Sequence, residues 1–76
     1  MGVGMGLTPL ERIKLRTQRF VDELRRRKAI DLGEAALIAE YSYWYFRSYV
    51  LKALMMLYPG CIKVERHTVY WICDER

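Results

Sequence analysis

The sequence predicts a mainly α-helical domain closed by a C-terminal β-hairpin, an α+β fold. Three observations carry this. Two capping-box patterns, at Thr8-Pro9-Leu10-Glu11 and Asp31-Leu32-Gly33-Glu34, open runs with helical apolar spacing. A stretch free of Gly and Pro, from Ser42 to Tyr58, is rich in helix formers and ends at Pro59-Gly60. Residues 61–73 alternate apolar and polar and are rich in β-branched and aromatic side chains, the pattern of a hairpin. The chain has 76 residues, 53% of them apolar. A chain this short buries only about 60% of the surface its unfolded form exposes, so the expected core is thin.

Residues 1–7 contain three Gly and read as a flexible tail, and residues 8–76 read as a single domain. The first helix is expected over 8–28. Leu10, Ile13, Thr17, Phe20, Val21 and Leu24 fall on its apolar face, and Arg25 to Lys28 close it favourably against the helix dipole. Its other side carries a basic stripe of Arg12, Arg16, Arg19, Arg26 and Arg27, with Glu23 among them. Leu15 sits off the apolar arc. Ala29-Ile30 reads as a short link. A second helix over 32–40 offers Ala35, Ala36 and Ala39 for close packing, and Tyr41-Ser42 make a tight turn.

The third helix is expected over 43–58, capped by Ser42. At about 100° per residue, Phe46, Val50, Ala53, Leu54 and Leu57 share the arc that a core would claim. Trp44, Ser48 and Lys52 lie opposite, with Tyr45 and Arg47 at the borders. In the hairpin, a turn at Arg66-His67-Thr68 would set Ile62 against Ile72 and Val64 against Tyr70, with Lys63 beside Trp71 and Glu65 beside Val69 on the reverse face. It would also place Cys61 opposite Cys73. That pair can be a cross-strand disulfide or two reduced, half-buried thiols: an ordinary cytosol favours the thiols, whereas a hyperthermophile's need not.

The net charge is +4, and eight of the thirteen basic residues lie between Arg12 and Lys28, against Asp22 and Glu23 alone in that span. Nine of the thirteen are Arg, the side chain suited to bidentate phosphate contacts, so an acidic polymer is the expected partner. The opening Met-Gly-Val-Gly-Met-Gly is not read as a secretory signal, and Gly6 stands where a myristoylation motif needs Ser or Thr. The 43–58 helix, with Arg47 and Lys52 near its centre, is read as too short and too charged to cross a membrane. A soluble, cytoplasmic protein is expected. One His and two Cys without metal-ligand spacing predict no metal site or cofactor, and no acid-base pair or nucleophile can be drawn. The expectation is a binding module, not an enzyme, with no small-molecule ligand.

The order helix, short helix, turn, longer helix, hairpin resembles a winged helix-turn-helix domain. Residues 31–42 are similar to the first parts of the motif, 46–54 to its recognition helix and 61–73 to its wing. Small size, Arg content and aromatic richness are similar to compact archaeal and archaeal-virus transcription regulators. Two departures stand out: no Gly ends the second helix, where Glu40 or Tyr41 stands, and the tip at Arg66-His67-Thr68 lacks the Gly or Asp of a tight primed turn.

The resemblance implies double-stranded DNA as partner, with the third helix in the major groove and the wing on a minor groove or phosphates. Carried over by position, the contacts are Tyr43, Trp44, Tyr45, Arg47, Ser48 and Lys52 on the helix, and Lys63, Arg66 and His67 on the wing. Arg12, Arg16 and Arg19 would grip the backbone. A homodimer is expected, with Leu15, Met55, Met56 and Trp71 as candidate interface residues. The alternative is a protein-interaction module in which Trp44, Tyr45 and Tyr49 form an apolar hot spot.

Overall fold

The computed structural model describes residues 8–73; the tail expected over 1–7 and the last three residues of the expected domain lie outside that span. The first helix starts as its sequence dictates. The Thr8 hydroxyl accepts from the Glu11 amide at 3.2 Å, the Glu11 carboxylate accepts from the Thr8 amide at 3.0 Å, and Pro9 fills the first helical position. The expected single helix over 8–28 is, however, two: α1 (Pro9–Arg16) and α2 (Gln18–Arg27), interrupted at Thr17. Thr17 is fully buried, and its hydroxyl donates to the Ile13 carbonyl at 2.6 Å. Such back-bonding competes with the helix's own ladder and bends it.

Ala29-Ile30 is not a link. Ala29–Asp31 forms a strand, β1, which α2 enters through Lys28 in the left-handed region (φ 73°). Helix α3 (Leu32–Ala39) follows, capped by Asp31, whose carboxylate accepts from the amides of Gly33 and Glu34. Only half of the expected capping box forms, because the Glu34 carboxylate turns to Arg27 instead, at 2.8 and 3.1 Å. The helix closes at Glu40, left-handed at φ 61° without a Gly.

Ser42 then caps the long helix, accepting from the Tyr45 amide at 3.3 Å. The helix, α4, runs through residues 43–57 with right-handed backbone throughout, but Phe46–Val50 is a π-helical turn, bridged by the Leu51 amide donating to the Phe46 carbonyl. A π turn inserts one extra residue into the helical repeat, which shifts everything after it by about 100°. Phe46, Val50, Ala53 and Leu54 are buried as expected. Leu51, which an uninterrupted α-helix would point elsewhere, joins them, while Leu57 is only half-buried.

Strands β2 (Ile62–Glu65) and β3 (Thr68–Trp71) form the hairpin, and β1 pairs antiparallel with the free side of β3, so the sheet is three-stranded in the order β1-β3-β2. The hairpin register differs by one residue from the expectation. Ile62 pairs with Trp71, Lys63 with Tyr70, Val64 with Val69 and Glu65 with Thr68. The turn is therefore the tight two-residue Arg66-His67, with Arg66 at φ 58° taking the position Gly usually occupies. A slip of one residue exchanges the faces of β3. Val69 and Trp71 are buried and Ile72 is exposed, the reverse of their expected places.

The core lies between α1, α2, α3, α4 and the inner face of the sheet. Phe20 and Phe46 meet edge to face at its centre, ring centroids 5.4 Å apart, a pairing that adds about 0.5–1.5 kcal/mol to their burial. Leu24, Ile30, Leu32, Val50, Leu54 and Val69 close around them. Cys61 and Cys73 are joined by a disulfide at the base of the hairpin, Cα atoms 4.7 Å apart.

Candidate nucleic-acid interface

The π turn does more than admit Leu51 to the core. In an uninterrupted α-helix Arg47 and Lys52 would point about 140° apart; the extra residue between them reduces this to about 40°. Both line a cleft of about 310 Å³ between α4 and the β2–β3 hairpin, together with Arg66 from the hairpin turn. Its floor is Leu32, Leu51 and Val64. Three of the cations expected from sequence are thus collected around one apolar cleft.

Local contacts orient Arg47 and hold the hairpin turn that carries Arg66. The Arg47 guanidinium lies over the Trp44 ring, 5.5 Å from its centroid, and Trp44 meets Tyr43 edge to face. An exposed cation–π contact contributes about 0.5–1 kcal/mol, enough to bias where the guanidinium sits. Trp44 itself is 66% exposed, and Ser48 is exposed beside it. The Tyr43 and His67 rings are nearly parallel, 16° apart, with the phenol oxygen 3.5 Å from Nδ1, so the start of α4 touches the tip of the β2–β3 hairpin. The Leu32 amide donates to the His67 carbonyl at 2.7 Å, tying the tip to the start of α3. Lys63 points away on the outer face of the hairpin, 3.9 Å from Glu65.

The other side of α4 faces α1 across a groove of about 550 Å³, lined by Arg12, Ile13, Arg16, Tyr41, Tyr45 and Tyr49. The three tyrosines form a ladder, with ring centroids 5.4 and 5.2 Å apart. Arg16 braces its end: the guanidinium lies 4.3 Å over the Tyr41 ring and donates to the Glu40 carbonyl at 2.9 Å. Burial raises the Tyr41 phenol above its ordinary value, and the nearby Arg16 charge partly offsets this.

The basic stripe does not survive as one surface. Arg12 and Arg16 belong to the α1–α4 groove, whereas Arg19 and Arg27 share a separate hollow with Glu23, Glu34 and Glu40. Arg26 bonds Glu23, and Arg27 forks onto Glu34 while lying 3.5 Å from Glu23. The hydrogen bond from Arg26 holds Glu23 below the ordinary carboxylate value, and that from Arg27 does the same for Glu34. Arg26 and Arg27 are thus committed to carboxylates, whereas no carboxylate lines the hollow on either side of α4.

Of the expected interface residues, Trp71 is buried, packed against Tyr58 and beneath Arg25; Leu15, Met55 and Met56 are exposed. Sequence reading missed the part played by Tyr41, whose place in the ladder was signalled by the repeat of four residues from Tyr41 to Tyr45 to Tyr49. No group of His, Cys, Asp or Glu that could hold a metal ion occurs among the described residues. No helix among them is long and apolar enough to cross a membrane. No family model, curated protein or solved structure matches the chain.

Proposed function

We propose that the protein is a winged helix-turn-helix domain that binds double-stranded DNA as a transcription regulator, with α4 in the major groove and the β2–β3 wing on adjacent backbone. The observation that carries the reading is the convergence of Arg47, Lys52 and Arg66, from α4 and the wing tip, on one cleft without a carboxylate. The order of elements, helix, short helix, turn, long helix and hairpin, supports it. Arg47 is the base-reading candidate, since a guanidinium can contact guanine in bidentate fashion, while Lys52 and Arg66 meet phosphate. His67 and Tyr43 position the wing tip, and Trp44 and Ser48 form the outward centre of α4. A single small domain makes few base contacts, so a homodimer is part of the proposal, with Leu15 and Met56 as exposed apolar candidates for its interface. A cytoplasmic location fits a DNA ligand. There the Cys61–Cys73 bond would persist where intracellular disulfides are common, as in hyperthermophiles.

The second reading, a protein-interaction module, is favoured by Trp44, Tyr45 and Tyr49, all at least 47% exposed. Selection of duplexes from a random pool, followed by a salt series, separates the two. DNA binding predicts a log–log slope of about −0.9 per phosphate contact. Arg47→Ala should relax the selected sequence while leaving the slope nearly unchanged. Absence of duplex binding at low salt would exclude the first reading.

A further inference from the structure

We propose that the groove between α1 and α4 is a second phosphate site, which takes the duplex strand opposite the one met by the wing, using Arg12 and the hydroxyls of Tyr45 and Tyr49. The inference rests on the DNA reading above and deepens it. An α-helix with its side chains is about 10–12 Å across, and the major groove is about 12 Å wide. A helix seated there has an outward centre facing the bases and two flanks, each facing one sugar-phosphate backbone.

Helix α4 is built to that plan. Its outward centre is Trp44 and Ser48. One flank opens on the cleft of Arg47, Lys52 and Arg66, and the other on the groove of Arg12, Tyr45 and Tyr49; the two hollows share no residue. No carboxylate lines the second hollow, so its charge is complementary to an anion. Arg16 is already turned to the Glu40 carbonyl and the Tyr41 ring, and this braces the ladder from behind. Arg12 is exposed and has no ion pair among the described residues. The Tyr45 and Tyr49 rings are half exposed, and their hydroxyls have no hydrogen-bond partner among the described residues.

An exposed guanidinium sharing a groove with two phenolic donors suits a phosphate diester, whose non-bridging oxygens accept from a guanidinium and from neutral hydroxyls together. The tyrosine ladder, which by exposure alone invites a protein partner, then serves the same ligand as the wing. Arg16 is a positioning residue in this scheme.

The test is phosphate ethylation interference on both strands of a selected duplex. The wild-type protein should show two clusters of sensitive phosphates, one on each strand. Arg66→Ala should weaken one cluster, to which Lys52 still contributes. Arg12→Ala should weaken the other and reduce the salt slope by about 0.9. The double variant Tyr45→Phe, Tyr49→Phe should weaken the same cluster as Arg12→Ala. It should lower affinity roughly five- to 150-fold, the range expected for two lost neutral hydrogen bonds, with no change in slope. All four side chains are exposed, and thermal melts matching the wild type serve as the folding control. If Arg12→Ala and the double Phe variant both retain two undiminished clusters and wild-type affinity, the inference is overturned while the DNA reading stands. That result is also the one expected if the groove takes an acidic peptide. If the wild-type protein binds no duplex, the DNA reading falls and this inference with it.

Discussion

Arg66→Gly should make the protein more stable and, under the proposed function, a weaker DNA binder. Arg66 occupies the first central position of a two-residue turn at φ 58°, and no hydrogen bond or ion pair holds its side chain among the described residues. A left-handed backbone costs a residue with a Cβ about 1–2 kcal/mol. Gly avoids that cost, but its freer unfolded chain takes back about 0.5–1 kcal/mol. The expected gain is therefore about 0–1.5 kcal/mol, centred on about 0.8 kcal/mol, which in a domain of this size raises Tm by about 3–6 °C. On a selected duplex, the loss of one phosphate contact should reduce the salt slope by about 0.9. Calorimetry and a fluorescence-anisotropy salt series read the two effects independently. A Tm below the parent's would refute the argument that Arg66 is held against its backbone preference. An unchanged salt slope would remove Arg66 from the interface.

Two further outcomes follow from the fold. Cutting the Cys61–Cys73 bond by reductant or by Cys73→Ala should lower unfolding free energy by about 3 kcal/mol, the chain-entropy value for a short loop, here with a sequence separation of 12; denaturant midpoints with and without reductant measure it. Glu34 and Glu23 have folded values below the ordinary 4.5 because Arg27 and Arg26 donate to them, so their contribution is fully present above 4.5 and is lost as pH falls from there through the lowered folded values. Glu34→Gln should therefore flatten the acid limb of the stability profile, as followed by thermal melts between pH 6 and 3, and leave the neutral side nearly level.

Much of the architecture was legible because it follows from local chemistry. The Thr8 and Ser42 caps, the apolar spacing of Ile13, Phe20, Val21 and Leu24, and the Pro59-Gly60 stop each act within a few residues. What was not legible depends on partners distant in sequence or on a single-residue offset. β1 is three residues long, and only its pairing with β3 makes it a strand; alone, Ala29-Ile30 has no period to read. The hairpin register turned on one residue, because Arg66-His67 adopts a turn that composition argues against. The π turn left no mark in the sequence, yet it decides which side Leu51 and Lys52 face. The candidate site was legible as a set of residue types and not as a surface. Arg47, Lys52 and Arg66 converge, whereas the Arg stripe of the first helix divides between a carboxylate-free groove and an ion-pair network.

The disulfide also sets how the domain bears load. In a plain hairpin, a pull on the end of the second strand peels the ladder one bond at a time from that end. Here tension arriving at Cys73 crosses to Cys61 and passes directly into the Tyr58–Cys61 connection and α4, bypassing residues 62–72. The wing is a closed loop outside the line of force. A tug at residue 73 strains the packing of α4 before it disturbs the wing tip, so the helix is the mechanical fuse of the molecule and the wing its protected part.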